Sequence, residues 1–207
     1  MTTKTKLKFS DTKQSRSKNT LNDIFEAAEQ LVFKGDPSKF TARELSRLSG
    51  YAIGTLSARL DSIENVFISV IEKRRNIELE KLCMHIQDFP KNQSIKKLAT
   101  LLIDKAFESL TKANPKVIRF IEGRLVKRNQ FSSSYYHFID IASDALFKVH
   151  KKNTSNTFGT FTEVEMKLFT RALMRVCERP FVEEDPIAGT KEHNKIAIKA
   201  FIRLFGK

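Results

Sequence analysis

Polar and apolar positions divide the chain into segments of one kind. Leu21, Ile24, Phe25, Ala28, Leu31 and Val32 fall three and four apart, which predicts a helix from Thr20, capped by Thr20 with Asp23 and broken near Gly35 and Pro37. The stretch "TARELSRLSG" opens with Thr41 and Glu44 at capping-box spacing, turns Leu45 and Leu48 inward and stops at Gly50. Two turns of helix are predicted there. After the turn at Ser49, Gly50 and Tyr51, a second short helix is predicted over Ile53–Leu60 and a long one over Ile63–Ile86, the latter with Val66, Phe67, Val70, Ile71, Ile77 and Leu82 on its apolar side.

Beyond the linker "DFPKNQS", helices are predicted near 93–112, 115–129, 132–151, 162–179 and 191–205. No alternating strand pattern interrupts them. The fold class is therefore all-α, with about nine helices. The first 19 residues are polar and aperiodic, and predict a flexible basic arm.

Charge adds a partner class only once it is located. The net charge is +13, to which residues 1–19 contribute six bases (Lys4, Lys6, Lys8, Lys13, Arg16, Lys18) and one acid, Asp11. Residues 20–60 balance five bases against five acids, so much of the surplus falls later. A basic second half is compatible with a solubilising surface as well as with an anionic partner. Cys83 and Cys177 lack paired spacing, and His85, His137, His150 and His193 are scattered. Neither a disulfide framework, nor a metal site, nor a cofactor is expected. No phosphate loop, nucleophile elbow or carboxylate pair suggests an enzyme. Without a long apolar run or an apolar leader, the expectation is a cytoplasmic protein with no membrane partner.

The informative stretch is "GYAIGTLSARLDSIENVF". Two short helices about a glycine turn, buttressed by a preceding helix, are the parts of a helix-turn-helix reader of double-stranded DNA. Ile53, Leu56 and Leu60 are expected to pack inward, leaving Gly54, Thr55, Ser57, Ala58 and Arg59 outward as a small, hydroxyl-bearing and cationic face. Thr41 at a helix N-terminus suits a phosphate contact, Arg43 within the first turn suits the backbone or a base, and Lys18 or Arg16 suits the adjacent minor groove. The alternative is a helical protein-interaction module that keeps the geometry without specific DNA binding.

The sequence here resembles the TetR family of bacterial transcriptional repressors. "TARELSRLSGYAIGTLSARLDSIENVF" follows that family's reading-region pattern at Thr41, Leu45, Gly50, Gly54, Thr55, Leu56, Ser62 and Glu64, after an "AAEQLVFKGDPSKFT" approach that is also similar. It departs at Ser57, Arg59, Leu60 and Ile63, where the family usually carries tyrosine, histidine, phenylalanine and lysine. Two phosphate contacts are affected, for which Arg59 and the basic arm offer compensating charge.

The resemblance implies a DNA-binding domain over 20–65, a connecting helix over about 63–86, and a ligand-sensing and dimerisation domain over 66–207. It further implies a ligand-responsive repressor on a palindromic operator. The homodimer would pair through the last two helices, by stripes including Leu168, Phe169, Leu173, Ala197, Phe201 and Leu204. Amphipathicity equally allows those stripes to be intrachain core. A ligand cavity is implied among the middle helices, where Phe107, Phe120 and Phe138 suit an apolar ligand, in a chain with 17 Phe and no Trp. "NPKVIRFIEGR" is similar to the family's fatty-acid-synthesis repressors, so Arg124 or Arg128 is a candidate for the anionic head of a fatty-acyl ligand. Core phenylalanines and snorkelling arginines are the plainer reading.

Overall fold

The structure, a computed structural model, describes residues 7–127 and 137–207, with side chains over 18–120, 122–123 and 138–207. Nine helices are formed by these residues: α1 Leu7–Phe33, α2 Ala42–Ser49, α3 Ile53–Arg59, α4 Ile63–Gln87, α5 Ile95–Leu110, α6 Pro115–Lys127, α7 His137–Lys152, α8 Glu163–Glu183 and α9 Lys191–Phe205. The chain divides into two compact units, Met1–Lys73 and Arg74–Lys207, with the boundary inside α4.

In the first unit, Ile24, Ala27, Ala28 and Leu31 of α1 are buried, as are Leu45 of α2, Leu56 of α3, and Val66, Phe67 and Val70 of α4. Between α1 and α2, a short 3-10 turn over Pro37–Lys39 is capped by Asp36. It delivers Phe40 onto Phe67, ring stacked on ring at 4.6 Å. Lys73 closes the unit from α4 with a 2.7 Å ion pair to Glu29 of α1.

Two local expectations need correction. Helix α1 begins at Leu7, not at Thr20, so residues 7–19 are helical where an arm was predicted. No Pro or Gly interrupts that stretch, and its Lys, Gln, Arg and Leu are good helix formers, although it lacks the apolar stripe by which a helix is recognised. Thr20 is thus interior to the helix and is no cap; residues 1–6 of the expected arm lie outside the described residues.

The second unit is built on a core that includes Ile86, Leu98, Leu102, Phe107, Met166, Leu173, Cys177, Ala197, Phe201 and Phe205. Its loops are tied by hydrogen bonds. Asn153 Nδ2 donates to Gln93 O at 2.9 Å, Ile95 N donates to Thr157 Oγ1 at 2.9 Å, and Gly159 N donates to Phe205 O at 3.0 Å. The connections before α5, after α7 and after α9 are therefore fastened together at one end of the unit.

Helix α8 begins with a closed capping box of Thr162 and Glu165 and continues to Glu183, past its predicted end at 179. Pro180 lies inside it and has no N–H to give to Val176 O, four residues earlier. His193 of α9 repairs the loss. Its Nδ1 faces the Gly189 N–H at 3.3 Å, so Nε2 carries the proton and donates to Val176 O at 2.9 Å. The imidazole is buried against the Phe107 and Phe181 rings, at centroid distances of 4.6 and 5.6 Å. The carbonyl that the proline leaves without its helical donor is thus satisfied by a residue on another element.

Candidate nucleic-acid interface

The turn between α2 and α3 is fixed at several points. Gly50 ends α2 with φ +74°, a left-handed conformation that glycine adopts without a Cβ penalty, and its N–H donates to Ser46 O at 3.0 Å. Ser46 Oγ donates to Tyr51 O at 2.7 Å, and Tyr51 Oη reaches across to Asp23 Oδ2 of α1 at 2.7 Å. Helix α3 then starts on Ala52, whose carbonyl accepts from Thr55 N and Leu56 N. Ser62 Oγ accepts from Asn65 N at 3.0 Å and opens α4 directly after it.

Thr41 caps α2 as expected, its Oγ1 accepting from Glu44 N at 3.3 Å. The reciprocal half of the predicted box is replaced: Thr41 N donates to Lys39 O at 2.8 Å, and the Glu44 carboxylate turns forward to Arg47 Nε at 3.0 Å. Arg43 stands exposed on the same helix, and Lys18 is exposed on α1.

Helix α3 is held by one fully buried side chain, Leu56. Gly54, Ser57, Ala58 and Arg59 are exposed, Thr55 and Leu60 half-buried. Ile53 departs from the expectation, since it is 48% exposed instead of packing inward. A helix of seven residues has one short contact line, and Leu56 already fills it. Ile53, Gly54, Ser57 and Ala58 therefore share an outward face, at the spacing i, i+1, i+4, i+5.

Gly54 has no packing reason to be glycine. A Cβ built there meets nothing within 4 Å, and its φ is not in the left-handed region. Glycine inside a helix costs up to about 1 kcal/mol relative to alanine. The fold gains nothing in return.

In the second unit the described candidate ligand residues have different surroundings. Phe107 is buried in the core, edge-on to Phe181 at 5.6 Å; Phe120 is half-buried on α6; Phe138 lies beneath the Arg75 guanidinium, 4.2 Å from its centroid. Arg128 and the side chain of Arg124 lie outside the described residues. An open depression of about 570 Å³ lies between α5 and the start of α9, lined by residues including Asp104, Glu108, Thr111, Lys191 and Lys195. Among the described candidate ligand residues, Phe107 alone borders it.

The candidate interface stripes also divide. Leu173, Ala197 and Phe201 are buried by their own chain, which makes them intrachain core and corrects their assignment to a dimer surface. Phe169 and Leu204 are half-buried against that core. Leu168 is 55% exposed and continues a row with Val164, 67% exposed, and Ala172, and Ile196 of α9 is exposed as well. Val164 was missed by the sequence reading, although its i, i+4 spacing to Leu168 marks it.

Beside that row, Lys167, Arg171, Arg175 and Arg179 recur every fourth residue of α8. Asp140 of α7 accepts from Arg171 at 2.7 and 2.9 Å and pairs with Lys167 at 3.2 Å; Glu122 of α6 pairs with Arg175 at 3.1 Å and Arg179 at 3.8 Å. Partial burial pushes the Asp140 carboxyl up, but the hydrogen bonds and charges of Arg171 and Lys167 outweigh it and hold the group below its ordinary value. Burial, with Glu178 beside it, pushes the Cys177 thiol up to about 12, which makes it unreactive at neutral pH. Among the described residues no cluster of three or more metal-ligating side chains occurs, and no helix is long and apolar enough to cross a membrane.

More than nine-tenths of the chain superposes on solved structures. A TetR-family transcriptional regulator from Mesorhizobium loti MAFF303099 matches 93% of this chain and 99% of its own at a TM-score of 0.63 and 15% identity. The fold is that of TetR-family transcriptional regulators. Others of that family, from Shewanella sp. PV-4 and Vibrio parahaemolyticus, match 91% of this chain at TM-scores of 0.56 and 0.51, each at 15% identity and over 98% and 99% of their own chains. No protein-family model and no curated protein matches the sequence, so the likeness lies in the fold.

Proposed function

We propose that the protein is a DNA-binding transcriptional regulator whose first unit, within the 20–65 domain, reads duplex DNA through α3. The observation that carries this reading is the outward face of α3: exposed, small, and containing a glycine that no contact within the chain requires. A helix of this shape suits close approach to a groove floor. Ser57 and Thr55 offer hydroxyls to base edges, Thr41 a phosphate contact, Arg43 a backbone or base contact and Arg59 a phosphate or guanine contact, while Lys18 lies toward the adjacent minor groove. No catalytic role is assigned to any residue.

The same reading makes the protein a symmetric dimer that represses from a palindromic site, because one α3 spans only one half-site. The proposed dimer surface is the exposed row of Val164, Leu168 and Ala172 with Ile196, in place of the buried residues of the predicted stripes. A small apolar or fatty-acyl ligand is proposed as effector, supported by the "NPKVIRFIEGR" resemblance, with Arg124 or Arg128 meeting its head group. Stabilisation by acyl compounds in thermal unfolding supports that effector, and its absence at saturating concentration removes it.

Selection of bound sequences from a random duplex pool tests the main proposal. A two-fold symmetric motif, bound with an affinity that falls steeply as salt rises, is the expected result. Binding without enrichment, or no binding, would return the protein to the class of helical interaction modules.

A further inference from the structure

The outward face of α3 is apolar to an unusual degree for a surface proposed to meet a polyanion. Ile53, Gly54 and Ala58 are exposed there, with Ala52 beside them at the helix start, and Ser57 and, at the helix end, Arg59 are the exposed polar side chains of the helix. Single exposed apolar residues are ordinary on protein surfaces. Here they stand together at helical spacing, on the element offered to DNA, next to a glycine that leaves room for approach.

Base recognition through paired hydrogen bonds draws on Arg or Lys for guanine, Asn or Gln for adenine, and Asp or Glu for cytosine. None of these residue types lies at positions 53, 54, 57 or 58, and Arg59, exposed at the end of α3, is the one such side chain on the helix. The major-groove edge has one apolar feature, the C5 methyl of thymine. We infer that Ile53, with Ala58, forms a contact surface for thymine methyl groups, and that each operator half-site carries thymine at the base pair facing Ile53. Gly54 admits that methyl by leaving out a side chain, and the Ser57 hydroxyl is free to serve as donor or acceptor to a neighbouring base edge. Arg43 and Arg59 then add affinity through phosphates, and sequence preference comes from the fit of methyl groups.

This inference rests on the proposed reading of DNA by α3, and its test keeps the two apart. The full-length protein is used to enrich duplexes from a random pool. Each thymine of the enriched half-site is then replaced singly by deoxyuridine, which keeps every hydrogen-bonding group and removes only the methyl. At least one position in each half-site is expected to lose about fourfold in affinity, the worth of one buried methyl. In Ile53→Ala that position's penalty is expected to vanish, while Ile53→Val keeps most of it. Ile53 is half-exposed, so neither change should disturb the fold, and the uracil series on the wild-type protein stands without them. An enriched site with no uracil-sensitive position, or a penalty unchanged by Ile53→Ala, overturns the inference and leaves DNA reading intact. Failure to enrich any sequence overturns both.

Discussion

Tyr51 Oη donates to Asp23 Oδ2 at 2.7 Å, across 28 residues of sequence, and so ties the turn before α3 to the first helix. Both groups are exposed, so the bond contributes little to stability, about 0.5–1 kcal/mol. Its larger effect is to fix the direction in which α3 leaves the turn. Tyr51→Phe is expected to unfold within a few degrees of the wild type yet bind duplex several-fold more weakly. Combining it with Asp23→Asn should add no further loss, as a double-mutant cycle in binding would register.

His193 and Pro180 make a second pair whose cycle has a definite sign. Replacing His193 by Phe leaves Val176 O and the Gly189 N–H without the imidazole, both in a buried setting, and should cost about 2–4 kcal/mol. Pro180→Ala restores an N–H to the helix. In that background the cost of His193→Phe should shrink, because the alanine amide takes over Val176 O. Denaturant unfolding of the four proteins measures it.

Asp140 links α7 to α8 in a pH-dependent way. Its carboxyl is held below the ordinary value in the folded state, so it stabilises the fold fully above the unfolded pKa of about 3.9, and that stabilisation is lost as pH falls through the lower folded value. Asp140→Asn should therefore cost about 1–2 kcal/mol at neutral pH, with the two proteins converging in strong acid. Urea titrations across that range would follow the convergence.

Leu168 tests the proposed pairing surface. It is exposed in one chain, and a charge there costs the fold of that chain little. Leu168→Glu should leave the helical content and melting of the single chain near wild type while shifting sedimentation from dimer to monomer. Affinity for a two-fold site should fall with it.

Legibility of the sequence followed the physics of each element. Gly50 and Thr41 announced α2 because a left-handed residue and an N-cap have few substitutes, and the helix-turn-helix frame was legible from them. The extension of α1 through residues 7–19 was not, since a polar helix carries no periodic stripe. Ile53 was misplaced because hydrophobicity sets a preference for burial and a seven-residue helix has room for little. Leu173, Ala197 and Phe201 show the related ambiguity, in which an apolar stripe has the same appearance whether its own chain or a second copy covers it. The end of α8 was hidden because its proline is compensated by a histidine 13 positions further on.

Gly54 carries the account's most direct test. Alanine there meets no neighbour, so Gly54→Ala should melt at the wild-type temperature or slightly above it, as helix propensity favours alanine. If α3 lies along bases, the added methyl group intrudes on that approach, and affinity for the enriched duplex should fall about tenfold or more. Undiminished affinity in a variant that melts at least as high would contradict the claim that this face is shaped for DNA.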